Sequence, residues 1–120
     1  MMNVALIGAT PKTDRYAYKA FKKLTEAGHT VFLVHPIYSD IDGQKVYKTV
    51  SDIQDTIDTI TVYINAQKST QIADQLIAAH PKRIILNPGA ENDKLERIAE
   101  TAGIKVKHAC TLVMLGTKTF

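Results

Sequence analysis

Two hydrophobic rhythms alternate along the chain. Short runs of apolar and β-branched residues occupy positions 3–7, 30–34, 59–64 and 83–86, with a shorter one at 104–106. Runs of this length, apolar on both faces, predict strands of a parallel sheet covered on both sides. Between them apolar residues recur at i, i+3, i+4 and i+7, the spacing of an amphipathic helix. Ala17, Ala20, Phe21 and Leu24 form one such stripe; Ile72, Ala73, Leu76 and Ile77, with His80, form a second; Leu95, Ile98, Ala99 and Ala102 form a third.

Turn-forming residues sit where these segments should end. Gly28 and Gly103 are placed to stop helices. Proline cannot donate to a sheet ladder, so His35-Pro36 closes the second strand and Asn87-Pro88-Gly89 the fourth. Residues 38–48 are polar, with Asp42-Gly43 as a turn signal, and residues 51–54 carry a short capping-box pattern that predicts a helical turn. The stretch 109–115 is apolar enough to pack down. Strands alternating with helices predict one α/β domain over residues 1–120: a Rossmann-like, doubly wound, parallel five-stranded sheet with right-handed crossovers. The expected strand order is 3-2-1-4-5. That order sets a switch point between strands 1 and 4, with a ligand beyond the carboxyl ends of the strands, near Gly8, His35, Asn65 and Asn87.

Composition narrows the partners. The net charge is +3, with acids and bases interspersed, which suits a small polyanion better than a DNA duplex. One cysteine, Cys110, allows no internal disulfide. No apolar stretch nears the ~20 residues a membrane span requires, and no secretory pattern precedes the first strand, so a cytoplasmic protein without membrane or nucleic-acid partners is expected. The histidines and Cys110 lack metal-ligand spacing. Neither a nucleophile elbow nor a Walker motif is present. The sequence therefore offers no catalytic residues and no metal site.

The turn after the first strand is the clearest candidate for chemistry. Gly8, Thr10, Lys12, Thr13 and Arg15 offer backbone freedom, two hydroxyls and two cations just before a helix, an environment suited to a pyrophosphate. In an ordinary surface turn the same residues are only solvated. Three glycines would be needed for the dinucleotide fingerprint, and here there is one. The end of the second strand, Val34-His35-Pro36-Ile37, also lacks the carboxylate that NAD proteins set against the ribose. His35 is equally compatible with a nucleotide contact and with a solvated turn. Asn92 or Glu91 is expected to cap the following helix, and Cys110 to be a small buried residue.

Taken in order, Leu6-Ile7-Gly8-Ala9-Thr10 with Arg15-Tyr16-Ala17, Val34-His35-Pro36 with Asp42-Gly43, Val62-Tyr63-Ile64-Asn65, Leu86-Asn87-Pro88-Gly89-Ala90-Glu91-Asn92 and Cys110-Thr111-Leu112 resemble the small single-domain CoA-binding protein family. That family is related to the N-terminal domain of the succinyl-CoA synthetase α subunit. The resemblance spans essentially the whole chain. It implies that Gly8, Thr10, Pro11, Lys12 and Thr13 meet CoA phosphates, that Val34, His35 and Pro36 lie by the adenosine, and that Asn65, Leu86, Asn87 and Pro88 line the remaining path. His35 stands where the family commonly has asparagine, Ile37-Tyr38 where a lysine often follows, and Asn65 where proline is usual. The synthetase's phosphorylated histidine belongs to a domain absent here. The expected function is thus non-catalytic binding of CoA or acyl-CoA, with Arg15 joining the phosphate group. An NAD(P)-binding oxidoreductase-type domain and a regulatory or interaction protein with a vestigial nucleotide site are the alternatives.

Overall fold

The computed structural model describes residues 1–120. The chain runs through β1 (Asn3–Ile7), α1 (Tyr16–Glu26), β2 (Thr30–Val34), β3 (Asp40–Ile41), β4 (Gln44–Tyr47), a 3-10 turn (Val50–Asp52), β5 (Thr59–Val62), α2 (Ala66–Gln71), α3 (Ala73–Ala78), β6 (Arg83–Leu86), α4 (Asp93–Thr101), β7 (Lys105–His108) and α5 (Thr111–Gly116). The seven strands form one sheet in the order β3-β4-β2-β1-β5-β6-β7, parallel throughout except for β3.

The α/β, Rossmann-like class expected from the sequence is therefore correct, while the strand count and order need correction. The expected third strand, β5, pairs with β1 on the side away from β2. The missing member comes from the polar stretch, which folds as the β3–β4 hairpin, with β4 pairing parallel to β2. Asp42 and Gly43 both have positive φ, 52° and 80°, as the tight turn of a two-residue hairpin requires. With β4 counted as the third parallel strand, the order becomes 3-2-1-4-5-6, and the switch point falls between β1 and β5.

Alternation of side chains along the strands builds two cores. Ala5 and Ile7 of β1, Phe32 and Val34 of β2, Ile60 and Val62 of β5 and Ile84 and Leu86 of β6 face α3 and α4, meeting Ala73, Leu76, Leu95 and Ala99. Val4 and Leu6 with Val31 and Leu33 face α1, meeting Ala17, Ala20, Phe21 and Leu24. The α1 stripe is thus buried as its spacing predicts. The helix ends where Gly28, at φ 91°, lets its own amide bond the Thr25 carbonyl and that of His29 bond the Leu24 carbonyl.

One predicted helix is two. At Ile72, with φ −112°, the ladder tightens: the Ile72 amide bonds the Ser69 carbonyl and the Gln75 amide bonds the Ile72 carbonyl, so α2 ends and α3 begins there. Asn92 holds this break. Its Oδ1 accepts from the Leu95 amide at 3.0 Å, capping α4, while its Nδ2 donates to the Ser69 and Thr70 hydroxyls at 2.7 and 3.0 Å.

On β5 the alternation places Thr59 and Thr61 on the face opposite the larger core, and both are fully buried. Thr61 and Thr111 of α5 share a 2.8 Å hydrogen bond. Asn87 completes the network: its Nδ2 donates to Thr61 Oγ1 at 2.7 Å and to the Val62 carbonyl at 2.9 Å, and its Oδ1 accepts from the Thr111 amide at 2.8 Å. One side chain therefore joins the carboxyl ends of β5 and β6 to the start of α5. Buried polar groups that lose such partners carry their full desolvation cost. Asn87→Ala, which strands the Thr111 amide, is expected to lower unfolding stability by about 2–4 kcal/mol in urea titration, with the far-ultraviolet circular dichroism of the folded state unchanged.

Candidate functional site

At the switch point the chain leaves β1 through a forced geometry. Gly8 has φ +94°, and a Cβ built on it would come within 2.9 Å of Ile64 Cγ2 and 3.3 Å of the Tyr63 carbonyl carbon. The amides of Gly8 and Ala9 both donate to the Val34 carbonyl, at 3.0 and 3.1 Å, so the chain turns across the end of β2 rather than continuing along β1. Residues 10–15 then loop outward. Thr10 Oγ1 accepts from the Lys12 amide at 3.2 Å and the Lys12 carbonyl from the Arg15 amide at 3.2 Å. Arg15 is the N-cap residue of α1, but no side chain caps the helix and its first turn holds no acid. The positive end of an eleven-residue helix is left facing the crevice.

Beyond the strand ends lie two adjoining cavities. The first, about 540 Å³, is bounded by the Gly8–Thr10 turn, Lys12 and Arg15, Tyr16 and Ala17 of α1, Tyr38, and the β5–α2 loop from Tyr63 to Asn65. The second, about 460 Å³, lies between the end of β2 from Val34 to Ile37, the segment Lys48–Val50 after β4, and α2 and α3 through Gln71, Ile72 and Gln75. Gly8, His35, Ile64 and Lys68 line both, so the two are lobes of one groove partitioned at His35 and Ile64.

His35 is held in a defined state. Its Nδ1 accepts from the Ile37 amide at 3.1 Å, its own amide donates to the Tyr47 carbonyl at 2.9 Å, and its ring lies on Tyr38 with centroids 4.4 Å apart. Burial, and then the charge of Lys68, hold its pKa below 6.5. With Nδ1 used as an acceptor, the neutral ring carries its proton on Nε2. Tyr63 is also protonated: burial pushes its hydroxyl up to about 12. That oxygen is buried without a hydrogen-bond partner, close to the Thr61 and Thr111 hydroxyls, which are bonded to each other.

The sequence candidates divide accordingly. Thr10, Lys12, Arg15, Asn65 and Pro88 line the first lobe, Val34 and Pro36 the second, and Gly8 and His35 both. Pro11 and Thr13 are exposed and line neither. The side chains of Leu86 and Asn87 do not reach the groove, since Leu86 lies in the larger core and Asn87 in its buried network. Asn65 has a local task as well, capping α2 by accepting from the Lys68 amide at 3.0 Å. The sequence alone marks none of Tyr16, Tyr38, Tyr63 and Lys48 as a ligand residue, and Lys68, at the rim after β5, reads there as solvated. Their contribution follows from loop packing, which no spacing rule encodes. Cys110 is half-buried at the start of α5. No three His, Cys, Asp or Glu residues gather as a metal site would need, and no helix is long and apolar enough to cross a membrane.

Comparison with known proteins bears on this groove. The profile of the family described as CoA binding domain matches residues 2–116. The Bacillus subtilis (strain 168) protein YneT, itself uncharacterized, is 22% identical over 116 residues, covering 90% of this chain and 86% of that one. Acetate–CoA ligase [ADP-forming] I of Archaeoglobus fulgidus is 26% identical over 125 residues, covering 96% of this chain but 18% of the ligase. A crystal structure of an uncharacterized protein superposes with a TM-score of 0.94 at 38% identity, covering 100% of this chain and 98% of that one.

Two outcomes test the geometry of the groove. Gly8→Ala places a Cβ against Ile64 and forces a left-handed φ on alanine, so it is expected to cost about 1–3 kcal/mol of unfolding stability, measured by denaturant titration. For His35 the folded pKa lies below the unfolded 6.5, so the unfolded chain binds more protons in that window. Stability is then complete above pH 6.5 and falls as pH drops from there towards the folded pKa. Thermal melts from pH 7.5 to 5.0 should show this loss, and His35→Asn should flatten the slope.

Proposed function

Since this chain belongs to the CoA-binding domain family, we propose that it binds CoA or an acyl-CoA through the phosphate and adenosine portions and does no chemistry of its own on it. The observation that carries this reading is the groove at the β1–β5 switch point, where Lys12, Arg15 and the uncapped end of α1 converge on one lobe. Doubly wound folds take nucleotides at this place, outside the carboxyl ends of the strands. The residues fit a diphosphate. Gly8 leaves backbone where a Cβ would collide, the amides of the first turn of α1 have no intrahelical partners, and two cations stand beside them. An anion there gains from both the helix terminus and the charge-assisted hydrogen bonds.

Each residue has a separable task in this reading. Lys12 and Arg15 neutralise the diphosphate. The Nε2–H of His35 offers a single donor on the partition between the lobes, and Pro36 and Ile64 supply apolar surface for a base or ribose. The acids after β2, Asp40 and Asp42, lie in the hairpin and none lines the groove to bind a free ribose diol, so a nicotinamide dinucleotide lacks its usual partner. A thiol ester bound here meets no paired nucleophile and base, which is why binding rather than turnover is proposed. Ligase activity belongs to the Archaeoglobus protein as a whole, of which this chain matches 18%.

Isothermal titration with CoA and NAD at equal concentrations tests the reading, and CoA is expected to bind more tightly. Neutralising both cations, Lys12→Met with Arg15→Met, should weaken CoA binding by about 1–3 kcal/mol while leaving unfolding stability nearly unchanged, because exposed charges contribute little to it. Tighter binding of NAD than of CoA would overturn the proposal and favour a dinucleotide site.

A further inference from the structure

The second lobe carries a charge pattern that the first does not explain. Over the whole chain 12 acids nearly balance 15 lysines and arginines, yet no aspartate or glutamate lines either lobe. Four cations do. Lys12 and Arg15 belong to the first lobe, Lys48 to the second, and Lys68 to both. One diphosphate held against α1 accounts for Lys12 and Arg15 and leaves Lys48, at the far side of His35, without an anion.

The position of Lys48 is set by strand register. Val34 pairs with Tyr47 across β2 and β4, and the His35 amide donates to the Tyr47 carbonyl. Lys48 therefore leaves the sheet beside His35, at the carboxyl end of the strand next to β2. In dinucleotide folds the adenosine ribose lies over the end of β2, and a cation near that point accepts a phosphate carried on the ribose. The segment following β2 supplies no such cation here: Pro36, Ile37 and Tyr38 are uncharged. The hairpin brings one from ten residues further along the chain.

We propose that Lys48, assisted by Lys68, forms a second anion subsite in the groove, one that recognises a phosphate on the ribose of the bound nucleotide and so selects ligands bearing it. This rests on the proposed nucleotide reading and adds a division of labour: Lys12 and Arg15 hold the diphosphate, Lys48 the ribose phosphate. A Lys48 side chain that is exposed and takes part in no ion pair within the chain has its full charge available to a ligand.

The test uses two ligand pairs that differ by the ribose phosphate alone, CoA against dephospho-CoA and NADP against NAD, titrated calorimetrically into the wild type and Lys48→Met. The wild type should prefer CoA over dephospho-CoA by at least about tenfold, the scale of one charge-assisted contact. Lys48→Met should bring CoA down to the dephospho-CoA level and leave dephospho-CoA unchanged. A Lys48-dependent preference seen only in the NADP pair also supports the subsite, and transfers it to a different nucleotide. If CoA and dephospho-CoA bind equally well to the wild type, or if Lys48→Met weakens both equally, the subsite is wrong while CoA binding stands. If none of the four ligands binds, this inference and the proposed function fall together.

Discussion

The Val34 carbonyl, taking both the Gly8 and Ala9 amides, is the contact on which the working end of this molecule depends. A strand that ended normally would carry its chain straight out along the sheet axis. Here one oxygen at the end of β2 draws the end of β1 sideways, and only a residue without Cβ fits between it and Ile64. That diversion opens the groove, sets residues 10–15 along its rim and aims α1 with its amide end inward. Backbone conformation thereby determines electrostatics: the cations and the helix terminus converge because one glycine accepts a left-handed φ.

Around this turn, polar groups are sorted by burial. Asn87, expected to line the site, and Asn92, expected to cap a helix, are consumed in buried networks that hold β5, β6, α2, α4 and α5 together. Those networks fix the loops that wall the groove, while the groove-facing surface is left to side chains that make few contacts with the protein itself. Rigid frame and available donors are thus supplied by different residues, which is how a site is kept organised without spending its own hydrogen bonds.

How much of this was legible in the sequence follows from which signals are local. The α1 stripe, β1, β2 and β6 were readable because unbroken apolar runs and i, i+3, i+4, i+7 spacing depend only on neighbouring residues. The β3–β4 hairpin gives no hydrophobic signal because its strands are polar and short, although Asp42-Gly43 carries the turn signal. Without that hairpin the expected strand order is displaced and Lys48 stays hidden, since its place beside His35 is a matter of pairing rather than of sequence distance. The break at Ile72 was invisible for a related reason. The nearest polar anchor to it, Asn92 bonded to Ser69 and Thr70, lies more than twenty residues further along the chain than either of them. Gly8, Lys12, Arg15 and His35 were readable as groove residues from their positions at strand ends, whereas Leu86 carries an ordinary core role that its position in a motif obscured.

The hairpin's attachment has a mechanical consequence. It is paired to β2 through only two residue pairs, Leu33 with Val46 and Val34 with Tyr47, so by itself it would be among the first parts of the sheet to open. It has a second mooring. Asp42, at its tip, accepts from the Tyr18 hydroxyl at 2.6 Å and meets Lys22 Nζ at 2.6 Å, both on α1. The strut from hairpin to helix ties the span that carries Lys48 to the helix that begins at Arg15. The two walls of the groove are consequently joined on the outside of the molecule as well as through the buried Ile41 and Val46, by a strut that no ligand needs to touch.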